Sequence, residues 1–299
     1  MFQIRSFDAP LGAEVIGLDL GQPLADADFK RVIDAFHDRS LLVFRDQKIT
    51  PEQHIAFSKR LGELQVHIQS TYHLAGYPEI YSISNVVDEN GKPIGLADAG
   101  KVWHTDLSYV TQPSRCSLLH ALEVPHDDSG KPLGDTLFAS TIRAYEALPD
   151  ATKRRLVGLK AMHSYMHIFD KITAMKRVGA ANLVPLTEEQ KKKVPDVMHP
   201  VVITHPYTRK KILFVNEGIT ISIAGLPQAE GAALLQELVD HAHKPEFVYR
   251  HSWRAGDLLM WDNFSTQHLA MHDYALPRRR RMRRTTVQGS TPVYDPLPA

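Results

Sequence analysis

The sequence predicts an α+β chain dominated by short strands. Apolar runs of strand length, such as Leu41-Leu42-Val43-Phe44, recur from end to end. Few stretches show helical spacing. One stretch, 141–198, is more helical and more polar than its surroundings, as an insertion between strands would be. Strand signals resume after it, so we expect one domain over 1–299, not two. At 299 residues, 43% hydrophobic and 23% charged, the chain has the composition of an ordered globular protein.

The elements follow in chain order. Phe29, Val32, Ile33 and Phe36 recur at helical spacing, and Leu41–Phe44 then reads as a buried strand. Thr50-Pro51-Glu52-Gln53 is a helix start: Thr50 can cap, Pro51 suits the first turn, and Gln53 can close a capping box. Phe57 and Leu61 continue that helix's apolar face. Strands are expected at 80–83, 117–122, 201–204, 212–215, 258–261 and 282–287. Turn formers mark loops at 88–93 and 125–132. Leu234, Leu235, Leu238, Val239 and Ala242 mark a further amphipathic helix.

Charge and cysteine content exclude several function classes. Thirty-five basic against 34 acidic residues give a net charge of +1, so a globally basic nucleic-acid binder is not expected. The single cysteine, Cys116, rules out an internal disulfide and any multi-thiolate zinc site. No run approaches the ~18 apolar residues of a spanning helix, and the first residues lack a secretion-signal pattern. We expect a cytoplasmic protein with no membrane partner.

The unusual count is 16 histidines. His104-Thr105-Asp106 sits in a strand-like context, Val102 to Tyr109, and residues i and i+2 of a strand share a face. His126-Asp127-Asp128 has the same spacing but lies in a loop. His163 and His167 are four apart without the glutamate of a metalloprotease helix, and Ser164 stands in its place. His241 and His243 diverge on their helix, and His205-Pro206 reads as a turn; all these are taken as structural. Two histidines and one carboxylate on one face of an octahedron leave three positions open, which suits non-haem Fe(II). The third ligand is expected near Trp261-Asp262-Asn263, where His268 and His272 compete.

Trp103-His104-Thr105-Asp106, then Gly134-Asp135-Thr136-Leu137, then Trp261-Asp262-Asn263 with His268 five residues on, resemble the taurine dioxygenase (TauD/TfdA) family. The resemblance runs from about Leu11 to Gly289. It implies a double-stranded β-helix (jelly roll) with flanking helices, and an Fe(II)- and 2-oxoglutarate-dependent dioxygenase. It assigns the metal ligands as His104, Asp106 and His268, favouring His268 over His272. Thr136 and Arg280 match positions that hold 2-oxoglutarate, while Arg284 and His67 match positions that touch substrate. The arginines come from Pro277-Arg278-Arg279-Arg280-Arg281-Met282-Arg283-Arg284, aligned from the proline. One extra residue precedes that proline, so a register with Arg279 or Arg281 facing inward stays open. On a strand, Arg280 and Arg284 share a face and lie roughly 13 Å apart at about 3.3 Å per residue. Six arginines in seven residues also fit a basic nucleic-acid patch, a reading the near-zero net charge disfavours.

The implied reaction consumes O2 and 2-oxoglutarate, releases succinate and CO2, and hydroxylates a small organic anion. A sulfonate, sulfate ester or carboxylate is expected, including an aryloxy acid. Hydroxylation beside sulfur or oxygen would lead to C–S or C–O cleavage. Two family positions differ here: Gly100 stands where taurine-type members have asparagine, and Ser70 where they have tyrosine. Both count against taurine itself. Tyr109, Tyr165 and Phe169 are candidate pocket aromatics, and a mobile lid is expected over about 168–185. Oxidation of an amino-acid-derived acid in specialised metabolism, and a non-catalytic small-acid binder, are the alternatives. The resemblance implies a homo-oligomer, dimer or tetramer.

Overall fold

A computed structural model describes residues 2–97, 99–175 and 187–295. The largest sheet has eight strands. In spatial order they are β1 (Gln3–Ser6), β2 (Ala13–Ile16), β3 (Leu41–Phe44), β14 (Leu258–Asp262), β6 (Ser114–Glu123), β16 (Arg281–Gln288), β5 (Tyr77–Ser84) and β4 (His73–Leu74). All neighbours pair antiparallel except β2 with β3. Three smaller sheets accompany it. One joins β13 (Val248–His251), β7 (Thr136–Ser140) and β15 (Thr266–Ala270); another joins β12 (Thr220–Ala224), β8 (Lys160–His163) and β9 (Val197–Pro200). The last pairs β10 (Val202–Thr204) with β11 (Lys211–Leu213).

The large sheet is covered on both faces, which explains its unbroken apolar strands. Leu42 and Phe44 of β3 point to one side, with Leu118, Leu258 and Met260. There they meet Val32 and Phe36 of α1 (Asp26–Arg39) and Phe57 of α2 (Pro51–Lys59). Leu41 and Val43 point to the other side, where Phe138 of β7 packs with Leu259, Trp261, Tyr81 and Met282. The period-two alternation of a strand thus feeds two cores at once. The capping box at Thr50 and Gln53 forms as expected.

A third core is built around α7 (Gln228–Ala242), whose Leu234 and Leu238 meet Ala161, Val202 and Ile223. The segment 141–198 contains α3 (Thr141–Glu146), α4 (Asp150–Leu156), α5 (Tyr165–Met175) and α6 (Glu188–Lys193). It also carries β8 and the start of β9, so it is less purely helical than the sequence reading expected. Lys160-Ala161-Met162-His163 has no β-branched residue, and its strand state comes from pairing with β9 and β12. Of the expected lid, 176–185 lie outside the described residues; Ile168 and Phe169 belong to α5. Among the described residues, no helix is long and apolar enough to cross a membrane.

Two histidines are buried in these cores as neutral rings. His54 sits under β16 beside Thr285, and His163 stacks on Phe214. Burial, reinforced by His120 for His54 and by His199 for His163, pushes each pKa down to about 3. Between pH 6.5 and about 3 the unfolded chain therefore binds more protons at these sites than the folded chain. Stability is expected to fall as pH drops below 6.5, by about 1 kcal/mol per buried histidine at one pH unit below. Urea midpoints at pH 7.5 and 5.5, above the carboxylate range, test this; equal midpoints would contradict it.

Candidate active site

The site starts from a backbone pairing. His104 N–H donates to the His268 carbonyl at 3.2 Å, and His268 N–H to the His104 carbonyl at 2.8 Å. Ala270 N–H continues the ladder to the Gly100 carbonyl at 2.8 Å. Residues that exchange both bonds across antiparallel chains carry their side chains side by side. The two imidazoles are accordingly 4.2 Å apart, centroid to centroid.

Asp106 arrives differently from the sequence expectation. Val102 to Tyr109 is not a strand: only His104 is bridged, and the chain turns from Asp106 onward, with Leu107 at φ 60°. The carboxylate is aimed by side chains instead. Asp106 N–H donates to Asn263 Oδ1 at 3.4 Å, and Thr105 Oγ1 donates to the Asn263 carbonyl. Asn263 Nδ2 donates to Ser117 Oγ at 3.0 Å, and Ser117 Oγ donates to Asp106 Oδ2 at 2.6 Å. Trp261 Nε1 holds Asn263 Oδ1 at 2.9 Å.

His104, Asp106 and His268 are all buried, and one ligand atom from each lies within 4.8 Å of the other two. His104 Nδ1 faces the Val102 carbonyl at 2.8 Å, so it carries the hydrogen. Its Nε2 lone pair is left 3.8 Å from Asp106 Oδ1. Burial lowers the pKa of both histidines, His268 far more than an ordinary ring because His104 adds to the effect. Burial pushes the Asp106 carboxyl up, but Arg284, then the two histidines and Ser117, hold it well below the usual range. Two neutral imidazoles and one ionised carboxylate are the donor set a divalent first-row metal needs. The residues present therefore fit Fe(II).

Two cavities meet at this cluster. A larger one of about 740 Å³, open to solvent, is lined by His67, Tyr81, Tyr109, Tyr165 and Phe169. A smaller one of about 450 Å³ reaches Thr136, His268 and Arg280. His104, Gly100 and Arg284 border both. Gly100 (φ +80°) lies against His104: a Cβ there would sit 3.7 Å from His104 Cε1 and 3.2 Å from Ala270 Cβ.

The arginine run is sorted by alternation. Arg279 and Arg281 turn outward to Glu123, at 2.8 and 2.7 Å, and Arg278 pairs with Asp128. Arg280 turns in and is 3% exposed, with its Nε buried and without a partner. Gly134 makes room for it, since a Cβ would lie 3.2 Å from Arg280 Nε and 2.8 Å from the Tyr274 ring. Thr136 Oγ1 accepts from Trp253 Nε1 at 3.0 Å, which leaves its own hydrogen to donate. Arg284 turns in as well, 2.9 Å from Asp106 Oδ1. The register with Arg279 or Arg281 inward is thus not the one adopted.

His67 lines the larger cavity with its ring 4.6 Å from that of Tyr81, and accepts the Gln69 N–H on Nδ1 at 3.2 Å. Burial, then Arg284, pushes its pKa down to about 4. The other histidine candidates stand apart. His272 Nε2 reaches the Ala99 carbonyl at 3.2 Å and its ring stacks on Tyr274. Asp127 Oδ1 receives the backbone N–H groups of Ser129 and Lys131 in its turn, and His205 forms a buried pair with Asp262 at 2.7 Å. His163 and His167 fall on different elements, β8 and α5. Sequence reasoning missed Ser117 and Tyr81. Ser117 was visible as a lone hydroxyl in the apolar run Cys116 to Leu119, but its target was not.

Residues 3–286 match the family described as "Taurine catabolism dioxygenase TauD, TfdA family". The chain is 35% identical over 287 residues to an alpha-ketoglutarate-dependent 2,4-dichlorophenoxyacetate dioxygenase from a Burkholderia sp., covering 92% of this chain and 91% of that one. A putative alpha-ketoglutarate-dependent taurine dioxygenase from Burkholderia xenovorans superposes with a TM-score of 0.79 at 30% identity, covering 98% of this chain and 92% of that one. A structure of AAD-2 in complex with Mn(II) and N-oxalylglycine gives 0.78 at 32% identity, covering 98% and 99%.

The Asn263–Ser117 relay predicts a measurable metal phenotype. Asn263→Ala and Ser117→Ala are expected to weaken Mn(II) binding by roughly ten- to a hundredfold while the fold persists. Chelator competition reads this. Wild-type affinity in both variants would show that the relay does not orient Asp106.

Proposed function

The chain belongs to the TauD/TfdA dioxygenase family, and on that premise we propose that it hydroxylates a small organic anion with an aryl body, an aryloxyalkanoic acid being the leading class. It is a 2-oxoglutarate-dependent dioxygenase, and Fe(II) is the metal we assign to it. The observation that carries the substrate reading is a metal-capable triad where two cavities meet, each with an inward arginine.

We assign the metal to His104, Asp106 and His268. Arg280 and Thr136 are assigned to the far carboxylate of 2-oxoglutarate, in the smaller cavity. Arginine suits that task because its planar fork grips a carboxylate with two charge-assisted bonds. When bound, iron and 2-oxoglutarate supply the oxidant: O2 is reduced as 2-oxoglutarate loses CO2 to give succinate, and one oxygen atom goes to a substrate C–H bond. The chain's own residues orient and shield. Arg284 and His67 are assigned to the substrate's anionic group, and Tyr109, Tyr165 and Phe169 to its aryl body. The apolar walls exclude water, which strengthens each of these electrostatic contacts. Where the oxidised carbon carries an ether oxygen, the hydroxylated product falls apart to a carbonyl compound and an alcohol or phenol. A sulfonate or sulfate ester would meet the same arginine. The eight-stranded sheet facing β13–β7–β15 supports the double-stranded β-helix reading of the core.

The test needs no substrate. Fe(II) and 2-oxoglutarate, added anaerobically to metal-free protein, are expected to give a weak visible charge-transfer band. His104→Ala abolishes it, and Arg280→Ala keeps it only at roughly hundredfold more 2-oxoglutarate. No band from folded wild-type protein would overturn the assembled site, and an unshifted Arg280→Ala titration would overturn the arginine assignment.

A further inference from the structure

Tyr81 carries a hydroxyl that the folded chain leaves without a use. The residue is 4% exposed and its oxygen is buried, yet the oxygen has no hydrogen-bond partner. Burying a hydroxyl unpaired is unfavourable, so such a group calls for an explanation. Its position supplies one. Tyr81 on β5 stands directly opposite Arg284 on β16, and cross-strand partners present their side chains on the same face. The Arg284 guanidinium carbon lies 5.8 Å from the Tyr81 ring, and both residues line the larger cavity. The Nε of Arg284 is likewise buried without a partner. His67 packs on the same ring at 4.6 Å.

We infer that the Tyr81 hydroxyl and Arg284 together form the seat for the substrate's carboxylate, and that Tyr81 is a specificity-determining residue for an anion. The inference rests on the proposed reading of the larger cavity as the substrate side. A carboxylate placed there accepts the phenol's hydrogen on one oxygen and the guanidinium's on the other. Arg284 supplies charge, and Tyr81 supplies direction. The phenol stays protonated throughout, because burial raises its pKa and Arg284 opposes this without reversing it. The seat therefore favours a group that only accepts hydrogen bonds over an amine or an amide nitrogen.

Tyr81→Phe removes the oxygen alone and separates this role from packing. The probe is phenoxyacetate, added to protein loaded with Mn(II) and 2-oxoglutarate and followed by calorimetry and melting temperature. The variant is expected to bind phenoxyacetate roughly ten- to a hundredfold more weakly, the loss of one hydrogen bond to a charged acceptor. Its 2-oxoglutarate affinity stays at the wild-type value. Without phenoxyacetate it melts no lower than wild type, because the deleted hydroxyl had no partner to lose. A variant that binds phenoxyacetate as wild type does overturns the inference, as does one that melts lower when unliganded. A wild-type protein that binds 2-oxoglutarate but no phenoxyacetate overturns the carboxylate seat and leaves the metal and co-substrate assignments standing. Failure to bind 2-oxoglutarate as well defeats those assignments too.

Discussion

The reciprocal hydrogen bonds between His104 and His268 are the constraint on which the site depends. They join residues far apart in sequence and set two imidazoles on one face without help from either side chain. A metal site built this way inherits its precision from the sheet, because β15 is itself pinned to β7 along its length. The third residue of the cluster has no such ladder. Asp106 lies beyond the bridge, in a turn, and its aim depends on Asn263 and Ser117. The cluster thus combines two side chains placed by backbone with one placed by side chains, and the latter is the more exposed to mutation.

Electrostatics divides the cavities along the same line. Asp106 is a fully buried carboxylate, and it stays ionised because Arg284 neutralises it at 2.9 Å. The oxygen that faces Arg284 also lies nearest His104 Nε2. Arg280 has no carboxylate of its own among the described residues; it lines the smaller cavity and keeps a buried Nε without a partner. One arginine is thus tied to Asp106, and the other is held in a packed cradle of Gly134, Tyr274 and Trp253.

Much of this was legible in the sequence. Leu41–Phe44 announced a buried strand, and Thr50 to Gln53 a capped helix; both formed as read. His-x-Asp and the alternating arginines carried the site because their spacing maps onto chemistry directly. Their register did not, since the extra residue before Pro277 left two alignments, and the pairing of Arg279 and Arg281 with Glu123 on β6 is not visible in the sequence. The strand reading of Val102–Tyr109 failed because local pattern cannot see Asn263, which captures the Asp106 backbone from a distant turn. β8 and Tyr81 were invisible for a related reason. Each takes its state from a partner strand, and single-sequence reasoning weighs residues before their partners are known.

The arginine run has a consequence for how the chain finds its fold. Slipping β16 by one residue would carry Arg279, Arg281 and Arg283 to the inner face, where the charges would look much the same. The inward charges by themselves therefore discriminate the right pairing from the wrong one only weakly. Met282, 2% exposed in the core, and Val287, fully buried, do so more strongly. A slip would send both to the opposite face and place Arg283 where Met282 packs, desolvating a cation without a partner. A strand rich in arginine is thus indexed by its two least polar residues, and substitutions at Met282 or Val287 threaten misregistration before they threaten chemistry.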